Sequence, residues 1–130
     1  MEKSQLQELI NWSAVLAAPR YAGGHSDVMR AIFEGEAAIV DHYTENDYQG
    51  TLAIAYQFGD GSVAIITDYF GSCSGCDAWE DATDEDATTM VRALVTNARV
   101  FRDADAARAF CKGNMDAEDY PFYAAASLTF

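Results

Sequence analysis

The chain has 130 residues, half of them hydrophobic, which is one domain's worth and enough to bury a core without disulfide or metal staples. Its 21 acidic side chains against 8 basic ones leave a net charge of −13, which argues against direct binding to nucleic-acid phosphates or to an anionic membrane surface, since both rest on Lys and Arg. No apolar run approaches the ~20 residues of a membrane span, the N-terminus lacks a secretory layout, and three cysteines are not the even framework of a secreted disulfide domain.

These bounds describe a soluble, cytoplasmic protein of one domain, residues 1–130. The charge is unevenly placed. From Ala31 to Val91 there is no Lys or Arg, and that span holds 13 carboxylates. The flanks balance, so the middle of the chain carries the whole excess.

In chain order, Ser4-Gln5-Leu6-Gln7 has the form of a capping box, and Leu6, Leu9, Ile10, Ser13, Leu16 and Ala17 follow at helical spacing until Pro19 stops the helix. Ser26 is placed to cap a short helix with Val28, Ile32 and Phe33 inward and Gly35 at its exit. Three strands are then predicted. Ala37 to Thr44 alternates weakly, with Ile39, Asp41 and Tyr43 on one side. Thr51 to Phe58 sets Leu52, Ile54, Tyr56 and Phe58 against Thr51, Ala53, Ala55 and Gln57, the pattern of a sheet packed on one side. Gly59-Asp60-Gly61 joins it as a hairpin to Val63–Phe70, apolar on both faces and therefore central.

Beyond the cysteine loop, Thr83 is the predicted N-cap of a helix with Met90, Val91, Leu94, Val95 and Ala98 as its buried stripe. Asp103 caps a second helix, Ala104 to Lys112, which ends at Gly113. Phe122–Phe130 alternates as a closing edge strand would, although Ala124-Ala125-Ala126 suits a helix equally well. The expected fold is α+β, an antiparallel meander of three or four strands with helices packed on one face. An exposed edge at Phe122–Phe130 would allow a homodimer by strand pairing.

The most distinctive stretch follows the central strand. Cys73 and Cys76 are spaced so that both sulfurs reach one site, and Gly75 permits the tight turn. One reading is zinc held by Cys73, Cys76 and Cys111 with His42 or Asp77 as fourth ligand, although the second short-spaced ligand pair is missing. Another is a redox dithiol, opposed by Asp77, Glu80 and Asp81, which would raise the thiol pKa. The third is a sharp strand exit with small cysteines packed beneath it.

The segment Asp68-Tyr69-Phe70-Gly71-Ser72-Cys73-Ser74-Gly75-Cys76-Asp77 resembles a loop in small proteins encoded by bacteriophages and prophages, over Gln49 to about Glu80. The resemblance implies a phage accessory role, among which inhibitors of host defence or host enzymes are frequent. It brings no catalytic residue with it.

Asp77 to Asp86 gathers six carboxylates without a cation, and it lacks the Gly and terminal Glu of an EF-hand calcium loop. Asp77, Glu80, Asp81, Asp84, Glu85 and Asp86 therefore form the candidate surface for a basic partner protein, for which complementary charge would set association rate and choice. Asp68, at the end of the apolar strand, is placed where burial would raise its pKa. No nucleophile elbow, phosphate loop or dinucleotide fingerprint occurs. The sequence thus favours a non-enzymatic acidic binding protein, an inhibitor or decoy of a nucleic-acid-handling protein, with a zinc or thiol protein as its rival.

Overall fold

Four antiparallel strands in sequence order form the middle layer. The computed structural model describes residues 1–20, 25–45, 50–70, 82–113 and 117–130. The strands are β1 (Ala37–Thr44), β2 (Gly50–Phe58), β3 (Val63–Phe70) and β4 (Arg99–Phe101). The helices are α1 (Trp12–Ala17), α2 (His25–Ala31), α3 (Asp84–Thr96) and α4 (Ala104–Cys111), with 3-10 helices at Lys3–Leu9 and Ala117–Ser127.

The α+β meander read from the sequence is the architecture, with the β2–β3 hairpin turning through Gly61 at φ +90°, a conformation that glycine adopts without steric cost. Asp60 steadies that turn. Its carboxylate accepts from the Ser62 hydroxyl and backbone N–H, which hold its pKa down at about 2.

Two expectations are corrected. The fourth strand is Arg99–Phe101, which pairs with Ile65, Ala64 and Val63 and is too short to display an alternation. The segment expected to close the sheet instead begins inside the 3-10 helix Ala117–Ser127, where Ala124 and Ala125 are buried together. Its end is tied down: Thr129 N–H donates to the Asp41 carboxylate, and Arg108 Nε donates to the Phe130 carbonyl at 2.7 Å. Strand-to-strand dimerisation through that segment loses its structural basis.

The second correction concerns the layers, because helices pack on both faces of the sheet. On one face Leu52, Ile54, Tyr56, Phe58, Ala64 and Ile66 meet α1, α2, α3 and the first 3-10 helix. Phe33 sets its ring edge-on to Tyr56 and Phe58, with centroids 4.9 and 5.2 Å apart. The Tyr56 hydroxyl donates to the Met29 carbonyl, and burial drives its ionisation far upward. On the other face Ala53, Ala55, Val63 and Ile65 meet α4 and the C-terminal 3-10 helix through Ala107, Phe110, Ala124, Ala125 and Leu128. The alanines of β2 are thus small buried residues that let a helix approach, not a solvent face.

The weak alternation of β1 has a local cause. A register shift between Ile39 and Asp41 leaves Ile39 opposite Tyr56 but Asp41 opposite Ala55. Ile39 therefore packs with the first core and Tyr43 with the second, as a β-bulge requires.

Helix boundaries follow their caps. The single N-terminal helix read from the sequence is two pieces, because Asn11 interrupts it and caps α1 by accepting from Ala14 N–H at 3.0 Å. The capping box before it belongs to Glu2 and Gln5. Gln7 instead donates to the Arg92 carbonyl and the Thr96 hydroxyl on α3. Thr83 and Asp86 form a reciprocal capping box on α3, and Asp103 caps α4 by accepting from Ala106 N–H at 2.8 Å. Both caps agree with the sequence. No helix among the described residues is long and apolar enough to cross a membrane.

Candidate functional site

Asp84, Glu85 and Asp86 form the exposed first turn of α3, where the helix dipole favours negative charge. They are not equivalent. Arg20 donates to Asp84 Oδ1 at 2.6 Å and to the Ala82 carbonyl at 2.9 Å, so it moors this end of α3 beyond the exit of α1. Asp86 is occupied in the capping box. The Glu85 side chain makes no hydrogen bond or ion pair among the described residues. Asp77, Glu80 and Asp81, the rest of the proposed surface, lie outside the described residues.

Other carboxylates of the cation-free stretch are elsewhere. Glu36 borders a shallow groove with Gly59 and Gly61 of the β2–β3 turn, next to Asp60, while the Glu34 carbonyl accepts from the Asn11 side chain at the start of α1. The described carboxylates are therefore spread: Glu36 and Asp60 lie at the β2–β3 turn, Glu34 beside Ala17–Pro19 at the exit of α1, and Asp84–Asp86 at the start of α3.

Of the zinc ligand set, the structure describes only Cys111 and His42. Cys73 and Cys76 lie outside the described residues. Cys111 is buried in the second core, where burial first and then the charge of Asp41 push its thiol up to about 11. His42 is exposed on the opposite face of the sheet, its register partner being Ile54 of the first core, with its ring Nε2 2.8 Å from an Arg30 guanidinium nitrogen. A site using both Cys111 and His42 is thus corrected. Among the described residues no group of three His, Cys, Asp or Glu side chains gathers to hold a metal ion.

A different site forms where the sheet edge changes. β4 pairs only with Val63–Ile65, so β3 from Ile66 onward has no strand beside it on that edge among the described residues. A cleft of about 570 Å³ opens there. Asp68 and Tyr69 of β3 line it, with Leu94 and Asn97 from the end of α3 and Phe122 and Tyr123 from the C-terminal 3-10 helix.

Its walls are both polar and aromatic. Thr51 donates to Glu45 Oε1 at 2.8 Å, and the Tyr123 hydroxyl lies 3.3 Å from the same oxygen and 3.2 Å from the Thr51 hydroxyl. Gly50 makes room for this arrangement, since a Cβ there would stand 2.8 Å from Glu45 Cβ. Burial pushes Asp68 up to about 6, with Tyr69 N–H opposing the shift. The direction agrees with the sequence reading.

Among the described residues the large apolar side chains left exposed are Leu16, Tyr69 and Tyr123, and two of these three border the cleft. Sequence reasoning singled out Asp68 but missed its neighbours, because Leu94, Asn97, Thr51 and Tyr123 come from three distant stretches. The one local signal was Tyr69, a large amphipathic ring near the end of a strand that opens with the aliphatic run Val63–Ile66.

Such a cleft, concave and mostly apolar with a few convergent polar groups, has the chemistry of a recognition site. Comparison with protein-family models, with curated proteins and with solved structures finds no match for this chain.

Proposed function

We propose that this chain is a non-enzymatic binding domain for a basic partner protein, acting as an inhibitor or decoy of a nucleic-acid-handling host or defence protein. One observation carries the reading: across Ala31–Val91, which has no Lys or Arg, the carboxylates of Glu34, Glu36, Asp60, Asp84, Glu85 and Asp86 are all exposed. Exposed charge of one sign contributes little to folding and much to the rate and choice of association. The loop resemblance to phage proteins supports the accessory role, and the deficit of cations opposes direct contact with nucleic acid.

The experiment is affinity capture with the wild type and with a Glu85→Gln/Asp86→Asn variant, which keeps an oxygen acceptor for the Thr83 cap. Loss of a basic protein from the variant, and from the wild type in high salt, is the expected result. Equal capture by both chains would remove the acidic first turn of α3 from the binding surface.

A further inference from the structure

We propose that β1 is a self-association edge that Asp41 holds shut: without that carboxylate, β1 of one copy adds antiparallel to β1 of a second, joining two four-stranded sheets into one. The proposal does not depend on the identity of any other partner. β1 is an outer strand of the sheet and pairs only with β2. All eight of its residues are at least partly exposed, whereas seven of the nine in β2 beside it are buried. Every second residue of an edge strand turns its N–H and C=O away from the sheet, a template for another strand. Beyond its pairing with β2, the backbone of β1 makes one backbone hydrogen bond among the described residues, from the Ala37 N–H to the Phe33 carbonyl at 3.0 Å.

Lysine, proline and shortness are the usual protections of such an edge. β1 has no Lys, Arg or Pro, and it opens with Ala37-Ala38-Ile39-Val40. What it has instead is the bulge between Ile39 and Asp41, and Asp41 itself. The carboxylate works with both oxygens. Oδ1 accepts from the His42 N–H at 2.9 Å, which withholds that backbone donor from a neighbouring strand, while Oδ2 accepts from the Thr129 N–H and, at 3.4 Å, from the Thr129 hydroxyl. Residues 128–130 are thereby held against β1. Arg108 secures them from α4, donating to the Phe130 carbonyl at 2.7 Å with its guanidinium 5.6 Å from the Phe130 ring centroid. Asp41 also stands at the middle of the strand, where a two-fold pairing of β1 with its own copy would bring two carboxylates together, and like charges so placed oppose pairing. Symmetry then fixes the product. The same surface is used on both subunits, so the assembly closes at two, and β4, the opposite edge, is only three residues long and too short to extend it.

The test is sedimentation velocity on the full chain over a range of concentrations, with hydrogen exchange read at the amides of residues 38–44. Four chains are compared: wild type, Asp41→Val, Asp41→Asn, and Asp41→Val combined with Ala38→Lys. Expected is a monomeric wild type and an Asp41→Val variant that self-associates at least about tenfold more tightly, the scale of one relieved charge contact and one freed hydrogen-bond donor. The product should be a dimer and no larger, and the residue 38–44 amides should exchange more slowly as its concentration rises. Asp41→Asn, which loses the charge and keeps one oxygen acceptor, should move in the same direction by less. Adding Ala38→Lys, at an exposed position of β1, should restore the monomer, and its amide spectrum serves as the folding control.

A folded Asp41→Val chain that stays monomeric would overturn the proposal, and so would a dimer whose β1 amides gain no protection or one that survives Ala38→Lys. Association that continues past the dimer would show unselective strand aggregation in place of two-fold pairing. A wild type already as dimeric as the variant would show that Asp41 holds nothing shut. If Asp41→Val does not fold, Asp41→Asn decides: self-association at the wild-type level in that chain would equally overturn the proposal.

Discussion

Asp68 is the residue at which stability and recognition conflict. Its carboxyl, raised from 3.8 to about 6 in the folded chain by burial, binds its proton more tightly in the native than in the unfolded state. The native state therefore draws stability from this group below about pH 3.8, and that contribution is lost as pH rises through about 6. Near neutral pH the ionised side chain is a net cost to the fold. Asp68→Asn is thus expected to stabilise the protein by about 1 kcal/mol at about pH 7.5, discounted for the water that still reaches the group, with the gain vanishing near pH 4. Urea unfolding of both chains at the two pH values measures it, and a variant less stable at neutral pH would show that the carboxylate holds the structure together. A residue retained at such a cost fits a binding role better than a structural one.

At the scale of elements, α3 and α4 start at the caps the sequence places, Thr83 and Asp103, whereas α1 starts at Asn11, which the sequence reading passed over. Thr83→Ala should cost about 1 kcal/mol, because Asp86 N–H loses its acceptor and Asp86 its reciprocal contact. Denaturant unfolding reads this directly, and a change within error would mean that packing alone sets the α3 boundary. The second face of β2 makes a sharper prediction. Ala55→Leu should cost about 1–3 kcal/mol, since the buried alanine faces the C-terminal 3-10 helix and α4. Ala38→Leu, on an exposed position of β1, should cost almost nothing, and equal effects would contradict a two-sided sheet.

What was legible divides along the same line. The strands Ala37–Thr44, Thr51–Phe58 and Val63–Phe70 could be read because apolar residues repeat within one segment, and the caps at Thr83 and Asp103 because they are local. Helices on the far face could not, since alanine at positions 53 and 55 marks closeness without saying to what. β4 was illegible because three residues hold no period. Asn11 divides the N-terminal helix by outcompeting a continuous helical pattern, a choice settled by its tertiary bonds just beyond the C-terminus of α2, where its backbone N–H donates to the Ile32 carbonyl at 2.8 Å and its side chain to the Glu34 carbonyl at 2.9 Å. Of the site, only Asp68 was visible. The cleft around it exists because β4 is short, which is a property of the sheet and of no single motif.

For the whole molecule, the balance of charge remains the governing fact, although its placement differs from a single acidic patch. Arg20 pairs with Asp84, the N-terminal ammonium lies 3.3 Å from Asp60, and Glu36 borders the β2–β3 turn away from the start of α3. A basic partner engaged through the first turn of α3 and the cleft would meet both carboxylate and aromatic groups, whereas Arg102 and Arg108 carry charge of its own sign. The most direct measurement is a hydrogen-exchange footprint of the captured partner on this chain, at low salt and at about 0.5 M salt, where surface electrostatics are screened. The account predicts protection centred on Asp84–Thr88 and on the cleft strand at Thr67–Tyr69, lost in high salt; protection centred on Arg102 and Arg108, or unchanged by salt, would contradict it.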